Sequence, residues 1–128
     1  YAKYPKERNS LFDFIAEHNI KGVILLTGDR HYSELSKRNW KGYTFYDFTS
    51  SPLTSVVINY QRLKGYHNSY NVPGSLFYKR NFGKISLSGT AGNRVCRLEL
   101  YGNGGRRLWS YDINYNQLQR NNDTKKNK

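Results

Sequence analysis

The chain has 128 residues, the size of one domain, with a formal net charge of +12, 37% hydrophobic and 16% aromatic residues and one cysteine. A single thiol, Cys96, excludes an intrachain disulfide or a cysteine-rich zinc site, and no run of about 18 apolar residues exists to span a membrane. The aromatic content supplies enough buried area for a core, in which Cys96 is expected to sit. No secretory leader is evident, and the chain begins at Tyr1 rather than methionine, which reads as a piece of something longer.

In chain order, Pro5 to Asn19 is predicted to be a helix, with Leu11, Phe14 and Ile15 on its buried face and Ser10 with Asp13 as an internal capping pair. The run Gly22-Val-Ile-Leu-Leu-Thr-Gly-Asp-Arg-His31 follows. Its β-branched and leucine residues suit a strand covered on both faces, as inside a parallel sheet. Such sheets bind ligands at the carboxyl ends of their strands, where Asp29 and His31 fall on a turn that Gly28 allows to approach closely. Imidazole is the commonest metal ligand, and a nearby carboxylate either coordinates the ion or orients the ring. Gly-Asp is also ordinary turn chemistry, so on the residues alone a structural reading stands beside the functional one.

The polar stretch after His31 through Trp40 reads as a short helix or an active-site loop. Tyr43 to Phe48 is a second strand, closing on the breaker cluster Thr49-Ser-Ser-Pro52. Leu53 to Arg80 is expected to be a long surface loop, with Pro73-Gly74 its clearest turn. Two half-buried antiparallel strands come next: Ile85 and Leu87 alternate with serines, and Cys96, Leu98 and Leu100 alternate with Val95, Arg97 and Glu99. Gly102-Asn-Gly-Gly105 makes a hairpin turn, and Arg107 to Ile113 returns with Trp109 and Tyr111 on one face. The domain is expected over residues 1–116, with a polar, frayed tail over 117–128. No internal repeat is evident.

The basic pairs Lys37-Arg38, Lys79-Arg80, Arg106-Arg107 and Lys125-Lys126 read as solvated faces. With tyrosines such as Tyr60, Tyr66 and Tyr70 between them, they also allow a secondary reading as a nucleic-acid or polyanion-binding module, without any recognised nucleic-acid motif. A non-catalytic structural remnant is a third reading. Ser50 and Ser51 lack the context of a serine hydrolase, and His18 and His67 read as surface histidines.

The order Glu7-Arg8, the helix, Gly22-Val-Ile-Leu-Leu-Thr-Gly-Asp-Arg-His-Tyr-Ser-Glu-Leu35, then Tyr46-Asp-Phe-Thr-Ser-Ser-Pro-Leu-Thr54, then Asn81-Phe-Gly83 resembles the C-terminal part of alkaline phosphatase D-like metallophosphatases, within the calcineurin-like phosphoesterases. The resemblance covers nearly the whole chain. It implies an α/β fold: the C-terminal half of a layered sandwich, one helix and a buried strand followed by mainly antiparallel strands. It also implies hydrolysis of phosphate monoesters and diesters at a multinuclear centre, with calcium and iron as the metals. By position, His31 would be a metal ligand, Asp29 a ligand or the partner of one, and Arg30 a weaker candidate for substrate phosphate, its alternative being an outward turn residue. The upstream aspartates, asparagine, cysteine and tyrosine that bind metal in such proteins have no counterpart here, and Cys96 does not replace them. Two donors do not close a metal site. The isolated chain is therefore expected to be inactive, to need the missing upstream half of the domain as partner, and to expose an aggregation-prone strand edge. An extracytoplasmic location follows from the resemblance alone.

Overall fold

The computed structural model describes residues 4–59, 61 and 64–120. The helix α1 (Pro5–Glu17) starts on a proline in its first turn, where the missing N–H costs nothing. Its buried stripe is Phe12, Ile15 and Ala16. That stripe is rotated from the expected one, for Phe14 is 52% exposed and stacks on His18, 4.1 Å between ring centroids. Phe12 wins the inward place because it stacks on Phe45 at 4.2 Å. Ser10 lies inside the helix and caps nothing; Asp13 instead accepts from Trp40 Nε1 at 2.8 Å and pairs with Lys41 at 2.7 Å.

The first sheet has the order β1 (Ile24–Thr27), β3 (Tyr43–Thr49), β2 (Glu34–Trp40), with β1 parallel and β2 antiparallel to β3. The polar stretch expected as helix or loop is thus mostly strand β2. Its Ser, Lys, Arg and Asn residues hide that from a propensity reading, but the aromatic β3 beside it and a two-residue turn force the pairing. Lys41 and Gly42 occupy that turn with φ of 45° and 85°, the primed geometry that matches strand twist. β1 is shorter than expected and lies at the sheet edge with Leu26 62% exposed, so it is not covered on both faces. The outer edge of β2 is blunted by the 50–80 connection, which bridges back at Ser33–Phe77 and Ser36–Asn71.

The second sheet is an antiparallel meander of β4 (Asn81–Ser88), β5 (Val95–Gly102) and β6 (Arg107–Asn114). A 3₁₀ turn at Asn103–Gly105 joins β5 to β6, with Gly104 and Gly105 both at positive φ as the glycine run implied. Cys96, Leu98 and Leu100 are buried as expected, and burial raises the Cys96 thiol above its ordinary pKa. Ile85 and Leu87 are not half-buried: they are 42% and 71% exposed, because the strand beyond Gly83 has no layer over it among the described residues.

Among the described residues the architecture is mixed α/β, with helix α1 and two small, mostly antiparallel sheets. β3 lies between two cores. On one side Tyr43 and Phe45 meet α1; on the other Tyr46 and Phe48 join Leu35, Cys96, Leu98, Leu100 and Ile113. Each such fully buried side chain contributes about 2 kcal/mol. Ordered packing continues past residue 116 into the 3₁₀ helix Tyr115–Leu118, where Leu118 packs on the core and Gln119 is buried; the rest of the expected tail, 121–128, lies outside the described residues, as does Tyr60.

The sheets meet most closely at Gly83, where an added Cβ would lie 2.7 Å from Phe48 Cε1 and 3.2 Å from Ser50 Cβ. Gly83→Ala is expected to lower stability by about 2 kcal/mol, through the shift forced on a packed aromatic ring, measured as a lower urea midpoint at unchanged slope.

Candidate functional site

The turn after β1 carries the three residues that the sequence singled out. Asp29 and His31 both have φ of 59°, the left-handed region that ordinary side chains avoid at a cost of order 1 kcal/mol each. Gly28, expected to supply the permissive backbone, does not: its φ is ordinary and an added Cβ would meet only Ser50 O at 3.9 Å. The strain therefore sits on the functional candidates themselves.

Hydrogen bonds from three directions hold the turn. His31 N donates to Ser51 Oγ at 2.8 Å, Ile58 N donates to His31 O at 3.1 Å, and the imidazole Nδ1 lies 2.6 Å from Val56 O. A carbonyl oxygen only accepts, so Nδ1 carries a proton, and in the neutral ring the lone pair is then on Nε2.

Ser51 is itself fixed by a buried polar cluster that no single motif revealed. Its N–H donates to Ser33 Oγ at 3.0 Å, and Ser33 Oγ donates to Asn81 Oδ1 at 2.6 Å. Asn81 Nδ2 in turn donates to Ser51 O and to Lys79 O, both at 2.8 Å, and Asn81 N donates to Pro52 O at 2.9 Å. The Thr49-Ser-Ser-Pro52 cluster and the Asn81-Phe-Gly83 start of β4 are thus one unit, with Asn81 3% exposed at its centre.

Arg30 leaves the turn in another direction. Its guanidinium donates to Tyr32 Oη and, at 3.3 Å, to Tyr66 Oη, and lies 4.9 Å from the Tyr32 ring centroid. It lines a cavity of about 130 Å³ that includes Glu34, Asp47 and Arg38 but neither Asp29 nor His31. Burial raises the Tyr32 and Tyr66 hydroxyl pKa values, which keeps both as neutral hydrogen-bond donors. Sequence reasoning passed over the two acids. Glu34, 3% exposed, accepts from Tyr66 Oη at 2.8 Å and from Asn68 and Asn71 Nδ2, each at 3.1 Å. Asp47 accepts from Thr27 Oγ1 at 2.7 Å, yet burial, aided by Glu34, raises its pKa above the ordinary carboxylate value. The available signal was an acid at alternate positions of two neighbouring strands. Tyr66 and Tyr70 are engaged in this wall, Tyr70 against Arg38 at 4.9 Å, rather than set out as a stacking platform. His18 and His67 are exposed.

Among the described residues no three His, Cys, Asp or Glu side chains are grouped to hold a metal ion. The donor chemistry at the turn fits a metal, because the bonded Nδ1–H orients a ring whose Nε2 is available. The donor number does not fit, since His31 and Asp29 supply two at most and a catalytic zinc takes three from protein. No helix among the described residues is long and apolar enough to cross a membrane.

Two outcomes test this geometry. Asn81→Ala strands Ser33 and the Ser51 carbonyl, and should cost about 2–4 kcal/mol in chemical denaturation. For Asp47 the folded pKa lies above the unfolded one, so its contribution to stability is full at acidic pH and is lost as pH rises through the folded value. Asp47→Asn keeps an acceptor for Thr27 without the charge. It should melt above the parent at about pH 8 and match it at about pH 4, read by circular dichroism.

Comparison with known proteins identifies one family: the model of the PhoD-like phosphatase family matches residues 2–98. No curated protein and no solved structure matches the chain.

Proposed function

The chain belongs to the PhoD-like phosphatase family, and we propose that its part in that activity is to supply the His31 imidazole, with the Asp29 carboxylate beside it, to the metal centre of a phosphoric ester hydrolase. The supporting observation is the 2.6 Å bond from His31 Nδ1 to Val56 O, which orients the ring and, in its neutral form, assigns Nε2 as the coordinating nitrogen. His31 and Asp29 would contribute to holding the metal, which would supply an activated water and charge stabilisation for the phosphoryl group. Calcium and iron, as the family resemblance implies, are the metals of this reading.

The chain's own residues position that chemistry. Ser51 and Ile58 tie the backbone of the left-handed turn, Val56 O orients the imidazole, and Arg30 offers the guanidinium donors left after Tyr32 and Tyr66 to a phosphate oxygen. No side-chain nucleophile is needed. The third donor that a closed site requires comes, on this reading, from outside the described residues, so the chain alone does not hydrolyse its ester. A phosphate monoester or diester outside the cytoplasm is the proposed substrate.

The test is hydrolysis of a chromogenic phosphodiester by the chain, by the full reading frame that contains it, and by the full protein carrying His31→Ala. Only the unaltered full protein should be active. His31→Ala should lower kcat/KM by about 100-fold or more and reduce metal content by elemental analysis. Parental activity in His31→Ala would falsify the assignment.

A further inference from the structure

The segment that accepts the His31 hydrogen bond has a second face. Val56 and its neighbour Val57 are 71% and 45% exposed, and both line a surface cavity of about 710 Å³. That volume is in the range of small-molecule sites. Val57, Phe77 and Leu108 give the cavity an apolar floor, and Lys79, Arg80 and Arg106 give it a cationic rim. None of its lining residues is acidic. Arg80 Nε donates to Ser55 O at 3.4 Å, which ties one guanidinium to the wall, and among the described residues none of the three cations enters an ion pair.

Three like charges around one cavity repel one another until an anion joins them, and exposed valines gain free energy on leaving water. One kind of ligand satisfies both conditions. We infer that the cavity binds a small amphipathic anion: a phosphoryl group carried on a short alkyl or aromatic arm, with the phosphoryl at Lys79, Arg80 and Arg106 and the arm on Val57, Phe77 and Leu108. A bare phosphate or a nucleic-acid backbone would leave the apolar floor uncovered. The site uses none of Asp29, Arg30 or His31, so it stands independently of the metal reading.

The test is calorimetric titration of the chain with hexyl phosphate, inorganic phosphate and hexanol, in the presence of a chelator so that no metal contributes. Hexyl phosphate should bind about tenfold or more tighter than either half alone. Arg106→Ala should weaken it about five- to tenfold at unchanged melting temperature, and Val57→Asn should remove the advantage over inorganic phosphate while leaving inorganic phosphate binding as it was. Equal affinity for hexyl phosphate and inorganic phosphate overturns the inference, as does indifference to Arg106→Ala. Sedimentation with phosphatidic acid vesicles distinguishes the source of the phosphoryl group: vesicle binding without binding of monomeric hexyl phosphate also overturns it.

Discussion

Everything at the candidate site depends on the side-chain amide of Asn81. Its carboxamide reaches the Ser51 and Lys79 carbonyls with its two N–H groups and takes the Ser33 hydroxyl on its oxygen, so one buried residue joins the residue before β2, the loop after β3 and the start of β4. Buried polar groups of this kind are costly unless every member is satisfied, which gives the network one permitted arrangement. That arrangement sets Ser51 Oγ under the backbone N–H of His31. The path from a β4 side chain to the histidine is thus two hydrogen bonds through Ser51, although 50 positions separate Asn81 from His31 in sequence.

β3 supplies the frame in which that network can exist. Its burial alternates little, because Tyr43 and Phe45 serve the helix-side core while Tyr46 and Phe48 serve the core between the sheets. A strand buried from both sides has its register fixed by every side chain, since a one-residue slip would exchange the two cores. The register then places Thr49 opposite both Thr27 and Glu34 and aligns the ends of β1 and β3 with the start of β2. The left-handed turn and the Ser50–Pro52 loop leave from these adjacent ends, which is why Ser50 N can donate to Thr27 O at 3.1 Å. Motifs that read as separate in the chain are neighbours here through register alone.

How much of this was legible follows from the length scale of each signal. The end of β1 at Asp29 and His31, the aromatic strand, the glycine hairpin and the Cys96, Leu98, Leu100 alternation were visible because each is local: a run, a breaker or a period. β2 was hidden because Ser36, Lys37, Arg38 and Asn39 are poor strand formers, paired only by the partner they face. The helix stripe was misplaced by one step because Leu11, Phe14, Ile15 and Leu11, Phe12, Ile15 satisfy the 3.6 period nearly equally, and only the stacking on Phe45 decides between them. Ile85 and Leu87 alternate as a half-buried strand should, but periodicity reports which way a side chain points, not whether another layer is there to cover it. Glu34 and Asp47 were passed over as ordinary charges, since neither Tyr66 nor Asn68 is near them in the chain.

The left-handed turn divides the chemistry of its three residues. Asp29 and His31 hold the turn at positive φ, and from it Arg30 reaches Tyr32 and Tyr66 while His31 reaches Val56. The backbone cost, about 1 kcal/mol for each strained residue, is of the same order as the hydrogen bonds that hold the turn. The two directions then differ in what they offer a ligand. Around Arg30 the neighbours are tyrosine hydroxyls and two acids, which counter a guanidinium and limit its pull on a phosphate. The groups hydrogen-bonded to His31 are the Ser51 hydroxyl, the Ile58 amide and the Val56 carbonyl, which carry no net charge and put a proton on Nδ1. An imidazole oriented through Nδ1 is suited to coordinate through Nε2, and a guanidinium already shared with other partners is suited to a supporting role in phosphate binding.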